Sequence, residues 1–280
     1  MAHKRHNRDP VYKADWLSQF SERPTSLSND YEVTDITGTL PPQLIGTFWR
    51  NGPGTFNRTK TSVSVDGDGM LSRLTFTGTR VYFRNRFVRT TGYVEEQEAG
   101  KPLHRGPFGT VPDDWWLRGF GATTVPFKNT ANTSQLMLNN NQFLLFWEGG
   151  LPHSINPRTM ETIGETRMNN ILEKGRAFSA HPVMDGNTMI NFGITFGKNT
   201  TLTVWEIDTD GVGSAQPHNH QLLQKHGVRL RSLGASIHSC SVTKNWVRLW
   251  VWWQNQNQNQ NRGCAFCVGL TLFFFVPPLL

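Results

Sequence analysis

The chain has 280 residues, 37% of them hydrophobic and 11% aromatic, which excludes disorder as its main state and suffices for one large domain or two ordinary ones. Three cysteines, all late in the chain (Cys240, Cys264 and Cys267), exclude a disulfide scaffold and fit a reducing compartment, so a cytoplasmic location is expected. The net charge of +7 comes from Lys and Arg scattered singly; it reads as a solubility feature with some attraction to an anionic membrane surface, and no nucleic-acid partner is expected.

In chain order, residues 1–29 form a polar, basic arm without the apolar stretch of a signal peptide, and 12–20 predicts a short helix that the segment 21–24 would end. Beyond the arm, 26 Gly and 15 Pro with few amphipathic helical patterns predict short strands separated by turns. Hairpins are predicted at 71–76 with 81–88 around Thr77-Gly78-Thr79, and at 135–138 with 142–147 around Asn139-Asn140-Asn141. Two more are predicted at 180–184 with 188–196 around Asp185-Gly186-Asn187, and at 237–242 with 246–252 around Lys244-Asn245, with a further strand at 201–207.

The second strands begin at Gln142, Thr188 and Trp246, 46 and 58 residues apart. Four-stranded sheets recurring about every 40–50 residues are what propeller blades look like in sequence. A β-sandwich fits the strand pattern alone, but the phase favours a propeller.

Composition changes after about Leu249. Residues 254–261 alternate Gln and Asn, which offers no face for a core, and a Cys/Phe/Leu/Pro tail follows. The longest uninterrupted apolar run, 264–276, has thirteen residues where a spanning helix needs about 20, so no transmembrane segment is expected. Residues 30–249 are therefore expected to form the sheet domain. Residues 250–280 are expected to lie outside it, as the product of a reading-frame change or as a polar linker.

Two of the nine histidines stand out by position. His181 and His238 each stand at or near the first strand of a hairpin, so blade geometry would aim both at one axis, where they could share a metal ion. Strand histidines bonded to the backbone fit the same spacing. Glu148, after the apolar strand 142–147, could accept the second ring proton of a ligand histidine or simply cap a Gly turn.

Other motifs point away from chemistry. His3 and His6 lie in the polar arm, His218 and His220 in an apparent surface loop, and His104, His153 and His226 carry no pattern. Asp66-Gly67-Asp68-Gly69 lacks calcium-loop spacing and reads as a tight turn, and Cys264-Ala265-Phe266-Cys267 has no second Cys pair for zinc. Asn51-Gly52-Pro53-Gly54 lacks the Lys and the following helix of a phosphate loop.

Five ordered blocks resemble the carotenoid cleavage oxygenases: residues 40–54 (LPPQLIGTFWRNGPG); 65–71 (VDGDGML); 145–152 with 156–162; Ser179-Ala180-His181-Pro182 with Asn191-Phe192-Gly193; and 237–243 (IHSCSVT). The resemblance implies an all-β, seven-bladed β-propeller that holds Fe(II) on its axis with four His and cleaves a conjugated C=C bond of a carotenoid or apocarotenoid with O₂, giving aldehydes. It further implies that His181 and His238 are the first two ligands and that Glu148 hydrogen-bonds a ligand His. Departures are Val63-Ser64-Val65 where the family has an aromatic-rich lead, and Ser239 where an acid usually follows the second ligand. No block matches after residue 249, so about the first half of the blades is expected, and a chain inactive by itself. A non-catalytic, polyene-binding remnant is the alternative.

Overall fold

The computed structural model describes residues 29–56, 58–114, 126–138, 142–196, 200–209, 220–229, 235–243, 246–253 and 272–275, with side chains as far as Arg229, Val228 excepted. The helix expected at 12–20, the turn at 139–141, His218, the Gln/Asn repeat and Cys264–Cys267 fall outside them.

Strands β1 (Asp30–Glu32), β2 (Ile45–Pro53), β3 (Gly69–Thr77) and β4 (Val81–Phe87) form an antiparallel sheet in the order β1-β4-β3-β2. β5 (Ser134–Met137), β6 (Phe143–Phe146), β7 (His153–Ile155) and β8 (Thr162–Glu165) form a second sheet in chain order. So do β9 (Val183–Asp185), β10 (Thr188–Thr195), β11 (Thr201–Asp208) and β12 (Gln221–Arg229). β13 (Ala235–Thr243), β14 (Trp246–Trp253) and β15 (Leu272–Phe275) make a three-stranded sheet. Among the described residues one α-helix interrupts this pattern, α1 (Thr91–Ala99), and no helix is long and apolar enough to cross a membrane.

The predicted turns set the registers. Thr77-Gly78-Thr79 leaves Phe76 opposite Val81, and Gly186, at φ +57°, closes a two-residue loop that leaves Thr188 opposite Asp185. β14 continues to Trp253, four residues beyond the expected boundary, and Leu272–Phe275 pairs with Trp246–Leu249, inside the segment expected to lie outside the fold. The reason is local: Trp, Val, Leu and Phe all favour an extended, half-buried backbone, and ladder pairing does not require alternation.

The chain divides into two compact units, one running to Gln135 and including Ile155–Gly164, the other comprising Leu136–Ser154 and the residues from Glu165. The second has an apolar core of Leu138, Leu144, Phe146, Phe178, Trp205 and Ile207 with their neighbours. All four side chains of β6 are buried, and β10 and β11 bury runs of five and six consecutive residues, so both faces of these strands are covered. The first unit buries Leu71, Val81, Val88 and Tyr93, but also a set of charged groups described below.

Candidate metal centre

Phe178 fixes the segment that carries His181. Its ring is fully buried, edge-on to Trp205 at 5.4 Å and tilted against Phe146 at 6.3 Å. Ala180 joins the same core. Gly193 lets the segment approach β10, because a Cβ there would stand 1.9 Å from the Ala177 carbonyl oxygen. Ser179 N–H then donates to the Phe192 carbonyl at 2.7 Å, and Asn191 Nδ2 donates to the Ser179 carbonyl at 2.7 Å.

Glu148, just past β6, meets this segment. Its Oε1 lies 3.2 Å from His181 Nε2, while Oε2 accepts from Ser179 Oγ at 3.2 Å and from Ala180 N–H at 3.5 Å. The His181 N–H in turn donates to Ser179 Oγ at 3.4 Å. Both side chains of the pair are about a third exposed, so the pair adds less than about 1 kcal/mol to stability. The contact sets a carboxylate against an imidazole, the combination from which the surroundings of a metal centre are commonly built.

His238 stands in β13 at a register break: Ile237 pairs with Val251 and Ser239 with Trp250, so His238 is the extra residue of a β-bulge. Bulges re-aim side chains and are common beside active sites. β13 lies against β9 and β10, and β9 begins two residues after His181, so the backbone brings the two histidine-bearing segments together. The side chain of His238 is outside the described set, and among described side chains no three His, Cys, Asp or Glu converge as a metal site would require.

Three other described histidines, His220, His153 and His104, are not surface residues. His220, expected in a surface loop, is buried with Nε2 on Gln142 Oε1. His153 is buried in β7, and burial pushes its imidazole down to about 4. His104 stands between Glu95 Oε2 at 3.1 Å and Glu96 Oε1 at 3.4 Å. Glu96 belongs to a buried ionic cluster: Arg58 reaches Glu96 at 2.6 Å and Asp68 at 3.4 Å, and Lys128 bridges Glu96 at 2.6 Å and Asp68. Burial alone would raise the Glu96 carboxyl. Hydrogen bonds from His104, Lys128 and the Leu103 N–H, with the Lys128 charge, outweigh that and hold it well below the usual range.

A cavity of about 40 Å³ beside Thr55, Asp68, Glu96 and Lys128 has room for a water or two. The Asp66-Gly67-Asp68-Gly69 stretch is structural here: Asp66 accepts from Phe108 N–H and Thr110 N–H, and Asp68 exchanges hydrogen bonds with Thr55. Asn51 of the Asn51-Gly52-Pro53-Gly54 stretch likewise ties β2 to the Ala131 and Ser134 carbonyls.

Sheets of three and four antiparallel strands following one another in chain order are the parts of a β-propeller. Comparison with known proteins makes this specific. Residues 21–266 match the retinal pigment epithelial membrane protein family, and the chain belongs to that family, the carotenoid cleavage oxygenases. It is 39% identical over 208 residues to the apocarotenoid-15,15'-oxygenase of Synechocystis sp., covering 70% of this chain and 41% of the relative. It is 29% identical to the isoeugenol monooxygenase of Pseudomonas nitroreducens, covering 80% and 44%. A cobalt-substituted Synechocystis apocarotenoid oxygenase superposes with a TM-score of 0.71 at 35% identity, covering 85% of this chain and 49% of that one. The expected fold class, a seven-bladed β-propeller family represented by about half its blades, is borne out. The chain spans less than half the length of these relatives.

Proposed function

We propose that this chain carries half of the ligand set of a non-haem Fe(II) dioxygenase that cleaves a conjugated C=C bond of an apocarotenoid or carotenoid, inserting both atoms of O₂ to give two carbonyl products. The observation that carries the reading is the Glu148–His181 pair on a segment next to the strand that bears His238. Neutral imidazoles suit Fe(II), and a carboxylate beside one of them is common around such an ion, so the residues present fit the ion. His181 and His238 would hold it. Bound there, Fe(II) would supply the redox chemistry that activates dioxygen. The chain's own contribution is to present imidazole lone pairs in one place and to keep the Glu148 carboxylate beside one of them. The fit of such a site to an apolar polyene is supported by the relatives, which act on apocarotenoid, isoeugenol and resveratrol by their names.

The second reading, a chain that binds polyene without turnover, is favoured by the ligand count: two candidate His stand here where the family resemblance implies four. The test is to load the chain anaerobically with Fe(II), add an apocarotenal and O₂, and follow polyene absorbance and aldehyde products. Iron retention lost in both His181→Ala and His238→Ala supports the site. Retention unchanged in either variant overturns it. Turnover by the wild-type chain alone would reject the second reading.

A further inference from the structure

We infer that one face of the first sheet carries a binding site for a phosphate monoester or free phosphate, built from the guanidinium groups of Arg73, Arg84 and Arg86. The register puts them together. Arg73 of β3 stands opposite Arg84 of β4, Arg86 stands one row on opposite Leu71, and Asp30 of β1 stands opposite Arg84. Residues paired across strands, and residues two apart along one, share a sheet face, so three cations and a single anion occupy the same side. Like charges directly opposite each other destabilise a sheet, and nothing in the strand pattern requires Arg at 73 and 84.

The one carboxylate is already used on both oxygens. Asp30 Oδ1 accepts from Arg84 Nε at 2.7 Å and from Arg86 Nη1 at 3.2 Å, and Oδ2 accepts from Arg86 Nη2 at 2.9 Å. Arg73 has no carboxylate partner among the described residues. Its Nη1 donates to the Pro157 and Arg158 carbonyls, each at 3.1 Å, and its guanidinium lies 5.5 Å from the centre of the Trp49 ring. Arg84 Nη1 donates to the same Arg158 carbonyl at 3.4 Å, so the two guanidinium groups meet at one oxygen of the turn between β7 and β8. Burial and the Arg84 charge both disfavour the charged form of Arg73. Arg73 Nε and Nη2 and Arg84 Nη2 hold no hydrogen bond among the described residues.

The neighbouring charges do not restore the balance. Arg80 pairs with Glu32 at 3.6 Å, and Glu161, on the β7–β8 turn, accepts from Thr159. Three guanidinium groups against Asp30 leave two positive charges over. A phosphate monoester carries about −1.5 to −2 at pH 7 and offers three acceptor oxygens, which matches both that excess and the unused N–H groups. Arginine forks also fit phosphate geometry better than a lysine point charge would. The Arg84 and Arg86 side chains are 30% and 25% exposed, so an anion can reach them from solvent.

The experiment uses the full chain in two arms. Isothermal titration with inorganic phosphate, at ionic strength matched with chloride, measures the anion itself. Sedimentation with phosphatidylcholine vesicles containing phosphatidic acid, whose headgroup is a phosphate monoester, tests a lipid source. Arg73→Gln should weaken phosphate binding about tenfold, and Arg73→Lys should recover only part, because it keeps the charge and loses the fork. Asp30→Asn should strengthen binding several-fold, since it removes the competing anion; loss of a merely structural contact would not do so.

Phosphate binding without sedimentation assigns a soluble phosphate monoester, and sedimentation that fails with Arg73→Gln assigns a phosphatidic acid headgroup. A wild-type chain that binds neither probe overturns the inference. So does unchanged binding in an Arg73→Gln chain with wild-type circular dichroism, or weaker binding in Asp30→Asn. Should Arg73→Gln fail to fold, Arg73→Lys and Asp30→Asn decide between the same outcomes.

Discussion

The two units bury polar groups in opposite ways. In the first, four full charges lie together: the side chains of Asp68, Glu96 and Lys128 are 2%, 3% and 8% exposed, and Arg58 closes the group at 17%. In the second, the ionisable pair Glu148–His181 stays at the rim, while the groups buried directly behind it, Ser179 and Asn191, are neutral. Cations and anions in the first cluster already satisfy one another, which makes it a strut. In the second, the buried groups are neutral donors, one to the Glu148 carboxylate and one to the backbone beside it.

The largest effects should come from breaking each unit at its own kind of anchor. Lys128→Met leaves Asp68 and Glu96 to share Arg58 and should cost about 3–5 kcal/mol, because a buried charge loses its partner. Phe178→Ala should cost a similar 3–5 kcal/mol by opening a cavity against Phe146 and Trp205. Hydrogen exchange resolves the two: Lys128→Met should lower protection in β3 and β4, and Phe178→Ala in β10 and β11. A Lys128→Met chain as protected in β3 and β4 as the wild type would show that the ionic cluster is dispensable.

Acid should sharpen the same contrast. His153 is held down at about 4 by burial, so the unfolded chain takes up a proton near pH 6.5 that the folded chain refuses. Stability from this group is intact above pH 6.5 and is lost as pH falls toward 4, up to roughly 3 kcal/mol by linkage. Glu206 and Glu165, whose carboxyls burial raises, oppose the trend above their unfolded values. Glu96 is depressed, so its contribution is present above about pH 4.3 and disappears only below it. Acidification to pH 5 should therefore loosen the second unit while the ionic cluster holds. Urea unfolding at pH 7.5 and pH 5 checks this, and His153→Leu should flatten the difference. An unchanged slope in that variant would remove His153 from the account.

What the sequence made legible follows the same division. The hairpins at 71–88 and 180–196 carry their own turn chemistry, and His181, His238 and Glu148 stand out because strand phase and the family blocks mark them. The ionic cluster was invisible because Arg58, Asp68, Glu96 and Lys128 come from four separate stretches with no common spacing. His220 was misplaced at the surface because a polar neighbourhood in sequence says nothing about Gln142 waiting behind it. Ser179 and Asn191 could be read as family block letters but not as donors, since their bonds depend on how closely the segment before β9 approaches β10. Helix α1 has no apolar stripe to announce it, and only Tyr93 and Glu96 are buried along it.

That helix supplies the smallest of the expected effects and the finest test of how the first unit is assembled. Thr90 caps it, its hydroxyl accepting from Tyr93 N–H at 3.2 Å. Replacing an N-cap Thr by Ala usually costs about 1 kcal/mol. With little apolar packing to help, the helix depends on that cap and on Glu96, whose Oε1 also accepts from the Leu103 and His104 N–H groups as the chain leaves the last turn. Thr90→Ala should therefore lose about 1 kcal/mol, with reduced protection over residues 91–99, and Thr90→Ser should recover most of it. If the ionic cluster alone holds the helix, Thr90→Ala will leave protection unchanged, and the cap is ornamental. If the loss approaches that of Lys128→Met, the cap and the cluster act as one cooperative unit, since a frayed first turn would then withdraw Glu96 from Arg58 and Lys128.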